Sequence, residues 1–230
     1  MANINKMDFD AIFAEYFPLF RGQASSIPTS GDAEYKIAMV LANNAIRKWD
    51  RADGTEWPEL WETALVDGTG DTTTSSSTTE YAAPTNMRKP PAYVSLGSNR
   101  LPVVNAADAG NFSGTGYCYF TGSANTGYVL HLNTNLDGVA IDYIYLKVPR
   151  LITKGTDKPD MSDPNFMIQD MLAARFANER NGFAYKIYKN EATVTLQNMK
   201  VEAMSGTRGN SDRMGMDTGW GKQKRNSFDI

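Results

Sequence analysis

The chain has 230 residues, of which 41% are hydrophobic and 21% charged, and its formal net charge is −3. This length can bury one substantial core or two small ones, and the small net charge argues against a protein that coats nucleic acid or membrane over its whole surface. A single cysteine excludes an intrachain disulfide, and no apolar run approaches the roughly 18 residues of a membrane helix. The first residues lack the apolar core of a signal peptide, so we expect synthesis in a cytoplasm without export.

Two helices are predicted in the first third of the chain. Apolar residues recur at three- and four-residue spacing from Phe9 to Phe17, and Pro18 is expected to limit this element. A second apolar stripe runs at the same spacing from Tyr35 to Trp49. Acidic residues lie at its start and basic residues at its end, as a helix dipole favours. The spacing is typical of helices that bury one face.

Residues 67–80 form a polar, low-complexity run of Ser, Thr, Asp and Gly. A hydrophobic core cannot be built from such residues, so the composition predicts a mobile loop. Because threonine favours strands, a hairpin that projects from the body is the alternative.

Between Tyr81 and Val148 the apolar period changes to two, which indicates strands. Turn residues separate the segments, and short strands at this spacing predict a small antiparallel sandwich or barrel. The candidate strands are 92–96, 101–104, 117–121, 127–132 and 139–148.

The chain is predicted to return to helix after the strands. Asp163 is a suitable N-cap and Pro164 a suitable first residue for a helix that ends near Asn181. The segment 183–204 is predicted to be a further helix, although residues 193–196 alternate and leave a strand as the alternative.

The last residues, 205–230, are rich in Gly, Asp and Arg and carry few apolar anchors. Such a segment does not fold alone, so we expect an extended arm that orders on a partner. Aromatic residues are enriched at interfaces. The expected partner-binding residues are Trp220, Lys222, Lys224, Arg225 and Phe228.

These elements together predict an α+β protein. Residues 1–62 and 150–204 are expected to form a helical bundle from both ends of the chain. Residues 63–149 are expected to form an inserted antiparallel β domain that carries the polar loop at 67–80, and the arm at 205–230 follows the bundle.

The sequence offers little for catalysis. His131 is the only histidine, which excludes most hydrolase triads and histidine-based metal sites. A dyad with Cys118 is conceivable if their strands are neighbours, but aromatic surroundings raise a thiol pKa. Asp157, Asp160 and Asp163 lack the ligand spacing of an EF-hand, and each can form a turn or cap a helix instead. We therefore expect no enzyme, no cofactor and no metal.

Two segments resemble a known family. One is the helix at 32–49 with its Trp-containing continuation to Trp61. The other is the strand at 141–149, with the pattern Tyr145-x-Lys147-x-Pro149, followed by an Asp-x-Pro turn and the helix from Pro164. Both are similar to the head–tail connector (adaptor) proteins of tailed bacteriophages.

The resemblance implies a virion structural protein at the head–tail junction. Proteins of that family form a ring, commonly of twelve copies, which lies under the portal, extends the DNA channel and attaches the tail. The implied partners are the portal protein, a downstream tail or stopper protein, neighbouring copies, and double-stranded DNA that passes without sequence reading; no membrane partner is implied. Other virion roles, in the tail tube, in head decoration or beside a fibre, are the alternative. A carbohydrate-active β-sandwich enzyme is the third possibility.

Overall fold

A computed structural model of the chain describes residues 7–22, 26–67 and 69–217 and shows an α+β protein, which confirms the predicted class. The chain divides into two compact units. The first comprises Met1–Pro58 and Pro149–Ile230, and the second comprises Glu59–Val148. The α-helices of the described residues are α1 (Phe9–Arg21), α2 (Ala33–Asp50), α3 (Ala64–Asp67), α4 (Pro164–Asn178) and α5 (Gly182–Asp217).

Helix α1 begins where its apolar spacing begins. The Asp8 side chain caps it by accepting a hydrogen bond from the Ala11 N–H (2.9 Å). The expectation that Pro18 limits the helix was wrong, because α1 continues to Arg21. A proline inside a helix costs about 3 kcal/mol. Burial of Phe17 and Phe20 on either side of Pro18 offsets this cost.

Helix α4 lies at the centre of the first unit and contacts α1, α2 and α5. Asp163 accepts a hydrogen bond from the Asn165 N–H (2.9 Å) and Pro164 opens the helix, so the predicted N-cap is confirmed. Its buried residues point in all directions around the helix axis. They are Phe166, Met167, Ile168, Asp170, Met171, Leu172 and Ala173.

Helix α5 confirms the helix predicted at 183–204 and excludes the alternative strand. It packs on α4 through a stripe that includes Ala192, Met199 and Ala203. The helix continues to Asp217, so the first part of the expected extended arm is helical. A physical reason is that no proline follows Pro164 in the sequence. Residues 218–230 lie outside the described part of the chain.

The second unit contains two sheets. One has three strands in the order β1-β9-β3, and the other has six in the order β2-β7-β6-β5-β4-β8. The strands are β1 (Trp61–Thr63), β2 (Glu80–Ala82), β3 (Met87–Lys89), β4 (Tyr93–Leu96), β5 (Asn99–Val104), β6 (Cys118–Ser123), β7 (Gly127–Leu132), β8 (Ile141–Asp142) and β9 (Ile144–Lys147).

The larger sheet is mixed, which corrects the expectation of a purely antiparallel insertion. Strands β5 and β6 pair in parallel, with Val103 opposite Cys118, and the other pairs are antiparallel. Parallel neighbours need a connection of about a dozen residues or more. The segment 105–117 is long enough to return the chain to the same end of the sheet.

Four of the candidate strands are found close to their predicted positions, as β4 to β7. The fifth, 139–148, is divided at Tyr143 into β8 and β9, which belong to different sheets. Strands β1, β2 and β3 were not predicted, because three residues are too few to show a period. The core of the unit includes Tyr81, Met87, Val94, Leu96, Cys118, Phe120, Leu130, Leu132, Ile141, Tyr143 and Tyr145.

The Ser/Thr run is neither a free loop nor a projecting hairpin. Thr74 is buried, and its N–H donates to the Val139 carbonyl oxygen (2.8 Å). The Ile141 N–H donates to the carbonyl oxygen of Thr72 (2.9 Å). The hydroxyl of Tyr81 donates to the carbonyl oxygen of Thr78 (2.8 Å). The run therefore lies against the edge of the larger sheet, because its hydroxyl and backbone groups satisfy groups there.

Candidate interaction surface

The Tyr-x-Lys-x-Pro segment is used inside the fold. Tyr145 in β9 is fully buried, and its hydroxyl donates to Asn86 Oδ1 (2.7 Å) and lies 3.3 Å from Glu62 Oε2. Lys147 Nζ lies 3.7 Å from Glu62 Oε1. These polar groups join β1, β9 and the turn before β3. The segment that carries the family resemblance therefore positions the three-stranded sheet.

The three spaced aspartates each bind nearby backbone. Asp157 accepts from the N–H groups of Thr153 (2.8 Å) and Lys154 (3.0 Å), and these hydrogen bonds hold the pKa of its carboxyl below the usual value. Asp160 accepts from the Arg150 N–H (2.8 Å), and Asp163 caps α4. The predicted use in a turn is confirmed for Asp157 and the predicted use as a helix cap for Asp163, whereas Asp160 instead holds backbone ten residues before it.

The Cys118–His131 dyad does not form. In the pairing of β6 with β7, Cys118 lies opposite Leu132 and Tyr119 lies opposite His131, so the two side chains project from opposite faces. His131 stacks on Tyr119 (4.6 Å between ring centroids) and its Nε2 lies 2.7 Å from the Thr121 hydroxyl. Burial raises the pKa of the Cys118 thiol to about 12.

A cleft of about 800 Å³ opens beside α1 and α2 in the first unit. Tyr35 in its wall donates a hydrogen bond to Asp10 Oδ1 (2.5 Å), and burial, with this bond, raises the pKa of the Tyr35 hydroxyl. Gly155 packs so closely on the Asp10 carboxylate that a Cβ there would overlap it. These contacts hold the loop before α4 against the first two helices.

Two kinds of feature are absent from the described residues. Within residues 7–22, 26–67 and 69–217, no three His, Cys, Asp or Glu side chains are placed to hold a metal ion together. Over the same ranges, no helix combines the length and hydropathy needed to cross a membrane. The predicted partner-binding residues, Trp220, Lys222, Lys224, Arg225 and Phe228, lie outside the described part of the chain.

The most prominent surface feature of the first unit is an exposed row of apolar side chains on α5, which we call the α5 stripe. Phe183 is 78% exposed, Val201 66% and Val194 52%. Asn190 and Gln197 continue the row, so that the spacing alternates between four and three residues. The apolar members of the α5 stripe are Phe183, Ile187, Val194, Val201 and Met204.

The α5 stripe lies opposite the surface that packs on α4. At about 100° per residue, its members centre roughly 180° around the helix from Ala192, Met199 and Ala203. Both sides of the helix therefore carry apolar residues in this part of the chain. The periods of four and three residues are those of a helix that packs against another helix.

This second stripe was missed in the sequence, although its signal is present there. The spacing of Ala192, Met199 and Ala203 already accounts for one helical face, and one buried face is enough to explain a helix in the sequence. The residues left over, such as Ile187 and Val194, repeat at seven residues on their own. A helix with apolar residues on two faces predicts two partners, of which α4 is one.

No family model matches the chain, and no curated protein matches it significantly. The resemblance of the segments at 32–61 and 141–164 to phage adaptors therefore stays a prediction.

Proposed function

We propose that this chain is a structural protein of a tailed-bacteriophage virion, a head–tail adaptor that forms a ring under the portal, extends the DNA channel and attaches the tail. The observation that carries this proposal is the α5 stripe. In the proposed molecule, helices from both ends of the chain form a bundle, the β unit is an excursion from it, and residues beyond α5 form an arm.

The α5 stripe supports an assembly role because it places large apolar groups in water along about six helical turns. Single exposed apolar residues are normal, but five on one face of a helix mark a surface that another molecule covers. The interface of a closed ring is repeated by rotation and joins two different faces of each copy. A long helix at the edge of the first unit is suited to such an interface.

The polar residues that the sequence singled out also favour an assembly role over chemistry. Tyr145 and Lys147 join strands, Asp157 and Asp163 shape a turn and a cap, and the Cys118 thiol is buried. Each of these groups contacts other residues of the same chain and so has a structural role. An interaction surface is thus the strongest functional feature of the described residues.

The proposed partners follow from the adaptor role. They are the portal protein, a downstream tail or stopper protein, other copies of this chain in a ring of about twelve, and double-stranded DNA in the lumen. DNA would be guided through its phosphate charge and not through its sequence. Trp220, Lys222, Lys224, Arg225 and Phe228 are the proposed anchors on the portal or the neighbouring subunit.

Electron microscopy of the purified full chain, alone and mixed with the portal protein of the same phage, tests this role. We expect a ring seated on the portal, with its channel aligned with the portal channel. A tube or filament that grows without the portal would indicate a tail-tube protein. Protein that stays free at saturating portal concentration would overturn the adaptor role.

A further inference from the structure

We infer that the α5 stripe of one copy packs against a second exposed stripe, on α2, of the next copy. This inference rests on the proposed assembly role and names the two faces that would meet. The second row, the α2 stripe, consists of Ala33, Ile37, Val40 and Asn44. Ile37 and Val40 are exposed, and Val40 is 60% accessible.

Helix α4 lies between the two helices that carry the stripes, since it contacts both α2 and α5. Asp170 and Arg175 of α4 contact Lys48 and Glu34 of α2, with closest distances of 2.6 Å and 2.9 Å. Gln169 and Phe176 of α4 contact α5: Gln169 accepts a hydrogen bond from the Thr195 hydroxyl (2.8 Å), and Phe176 stacks on Tyr188 (5.6 Å between ring centroids).

Each stripe also lies outside the buried face of its own helix. On α2 the buried side carries Ala38, Ala42, Ala45 and Trp49, and the α2 stripe centres on the other side. The two stripes are therefore carried by separate helices that both pack on α4. A copy that exposes a row on each of two helices can offer one row to the copy before it and the other to the copy after it.

The two rows match in spacing and in their polar positions. Both alternate between four and three residues, and each contains an amide side chain, Asn44 in the α2 stripe and Asn190 and Gln197 in the α5 stripe. Two amides that meet in a helix interface can hydrogen-bond to each other, which fixes register. The α2 stripe, from Ala33 to Asn44, lies beside the α5 stripe for about 17 Å, at about 1.5 Å per residue.

Charges beside the rows are also complementary. Lys36 is exposed beside the α2 stripe, and Glu191 is exposed beside the α5 stripe. When the rows face each other, Glu191 of one copy can pair with Lys36 of the next. A symmetric pairing of two α5 stripes would instead leave the α2 stripe of every copy in water, whereas the head-to-tail contact covers both rows.

Cysteine cross-linking tests which faces meet. Val40→Cys and Val194→Cys are made in separate full-length chains, mixed, and treated with a short flexible bis-maleimide, both free at high concentration and in the presence of the portal protein. The native Cys118 is buried, so it does not react in the folded chain. We expect a cross-linked dimer in the mixture and none with either variant alone. A dimer from Val194→Cys alone, or no dimer in any sample, would overturn the inference.

A complementation experiment tests the same contact without a cross-linking reagent. Val40→Asp and Val194→Asp place a charge in one stripe each, at exposed positions where the fold tolerates it. Burying an unpaired aspartate weakens an interface by about thirtyfold or more. Each variant alone should stay monomeric, and the mixture should stop at a dimer, because one intact α2 stripe and one intact α5 stripe remain. Asn198→Asp, an exposed charge beside the stripe, should assemble as the parent does.

The outcomes separate this inference from the adaptor role. If the parent chain forms portal-bound rings and Val40→Asp forms them equally well, the named α2 face is wrong and the adaptor role stands. If the parent chain binds no portal but the mixed variants form the dimer, the head-to-tail contact stands and the adaptor role is wrong. Unchanged melting temperatures of both variants confirm that folding is not the cause.

Discussion

The Ser/Thr run and the α5 stripe are opposites in how composition relates to burial. The run at 69–79 is polar, yet it is fixed against a sheet and buries Thr74. The α5 stripe is apolar, yet Phe183 and Val201 lie in water. Composition therefore indicates only what a segment can bury by itself. Where the segment lies depends on which polar and apolar groups of neighbouring segments still lack a partner.

Deletion of residues 69–79 is expected to have the largest effect on stability, and it tests whether the polar run is fixed against the sheet. The deletion removes the backbone partners of Val139, Ile141 and Ala82 and exposes a sheet edge. At about 1 kcal/mol per hydrogen bond and more for groups left buried without a partner, we expect a loss of about 3–5 kcal/mol. Chemical denaturation followed by circular dichroism measures it.

Ser77→Ala is the control for that deletion, because Ser77 is exposed and keeps its backbone. It should change the free energy of unfolding by less than about 0.5 kcal/mol. If the deletion changes stability as little as this control does, the run is a loose loop and the contrast with the α5 stripe disappears.

Periodicity predicted the elements that are long enough to show it. Helices α2, α4 and the first part of α5, and strands such as β7, lie where their apolar spacing placed them. The Asp163 cap was predictable because a cap depends on residues that are close in sequence. Pro18 was misjudged because the burial of Phe20, beyond it, is a tertiary effect.

Long-range pairings were not predictable from local spacing. The parallel pair β5–β6 depends on where the segment 105–117 returns, and the position of Thr74 depends on free groups at Val139. The α5 stripe could have been predicted, because Ile187 and Val194 are exposed apolar residues at a seven-residue spacing that the sequence shows. It was overlooked because a helix in a small domain is usually explained by one buried face.

Two alanine substitutions, one in the core and one in the α5 stripe, test the same comparison for apolar residues. Leu172 in α4 is fully buried, so Leu172→Ala should cost about 2–5 kcal/mol of folding free energy. Val194→Ala in the α5 stripe should change the stability of the free chain by less than about 0.5 kcal/mol, because Val194 is half exposed. Thermal unfolding of the monomer measures both. Similar losses for the two would show that the α5 stripe is already covered within the chain.

The smallest effect concerns two neighbouring threonines of the run, which differ only in their surroundings. The hydroxyl oxygen of Thr74 accepts a hydrogen bond from the Val139 N–H (3.0 Å), and Thr74 is buried. Valine has the same shape but no acceptor, so Thr74→Val should cost about 1–2 kcal/mol. Thr73 is exposed, so Thr73→Val should stay within about 0.5 kcal/mol of the parent. Denaturation midpoints of the two variants, measured side by side, decide the point. Equal midpoints for the two variants would mean that only backbone hydrogen bonds hold the run against the sheet. A lower midpoint for Thr74→Val alone would show that side-chain hydrogen bonds also hold it there.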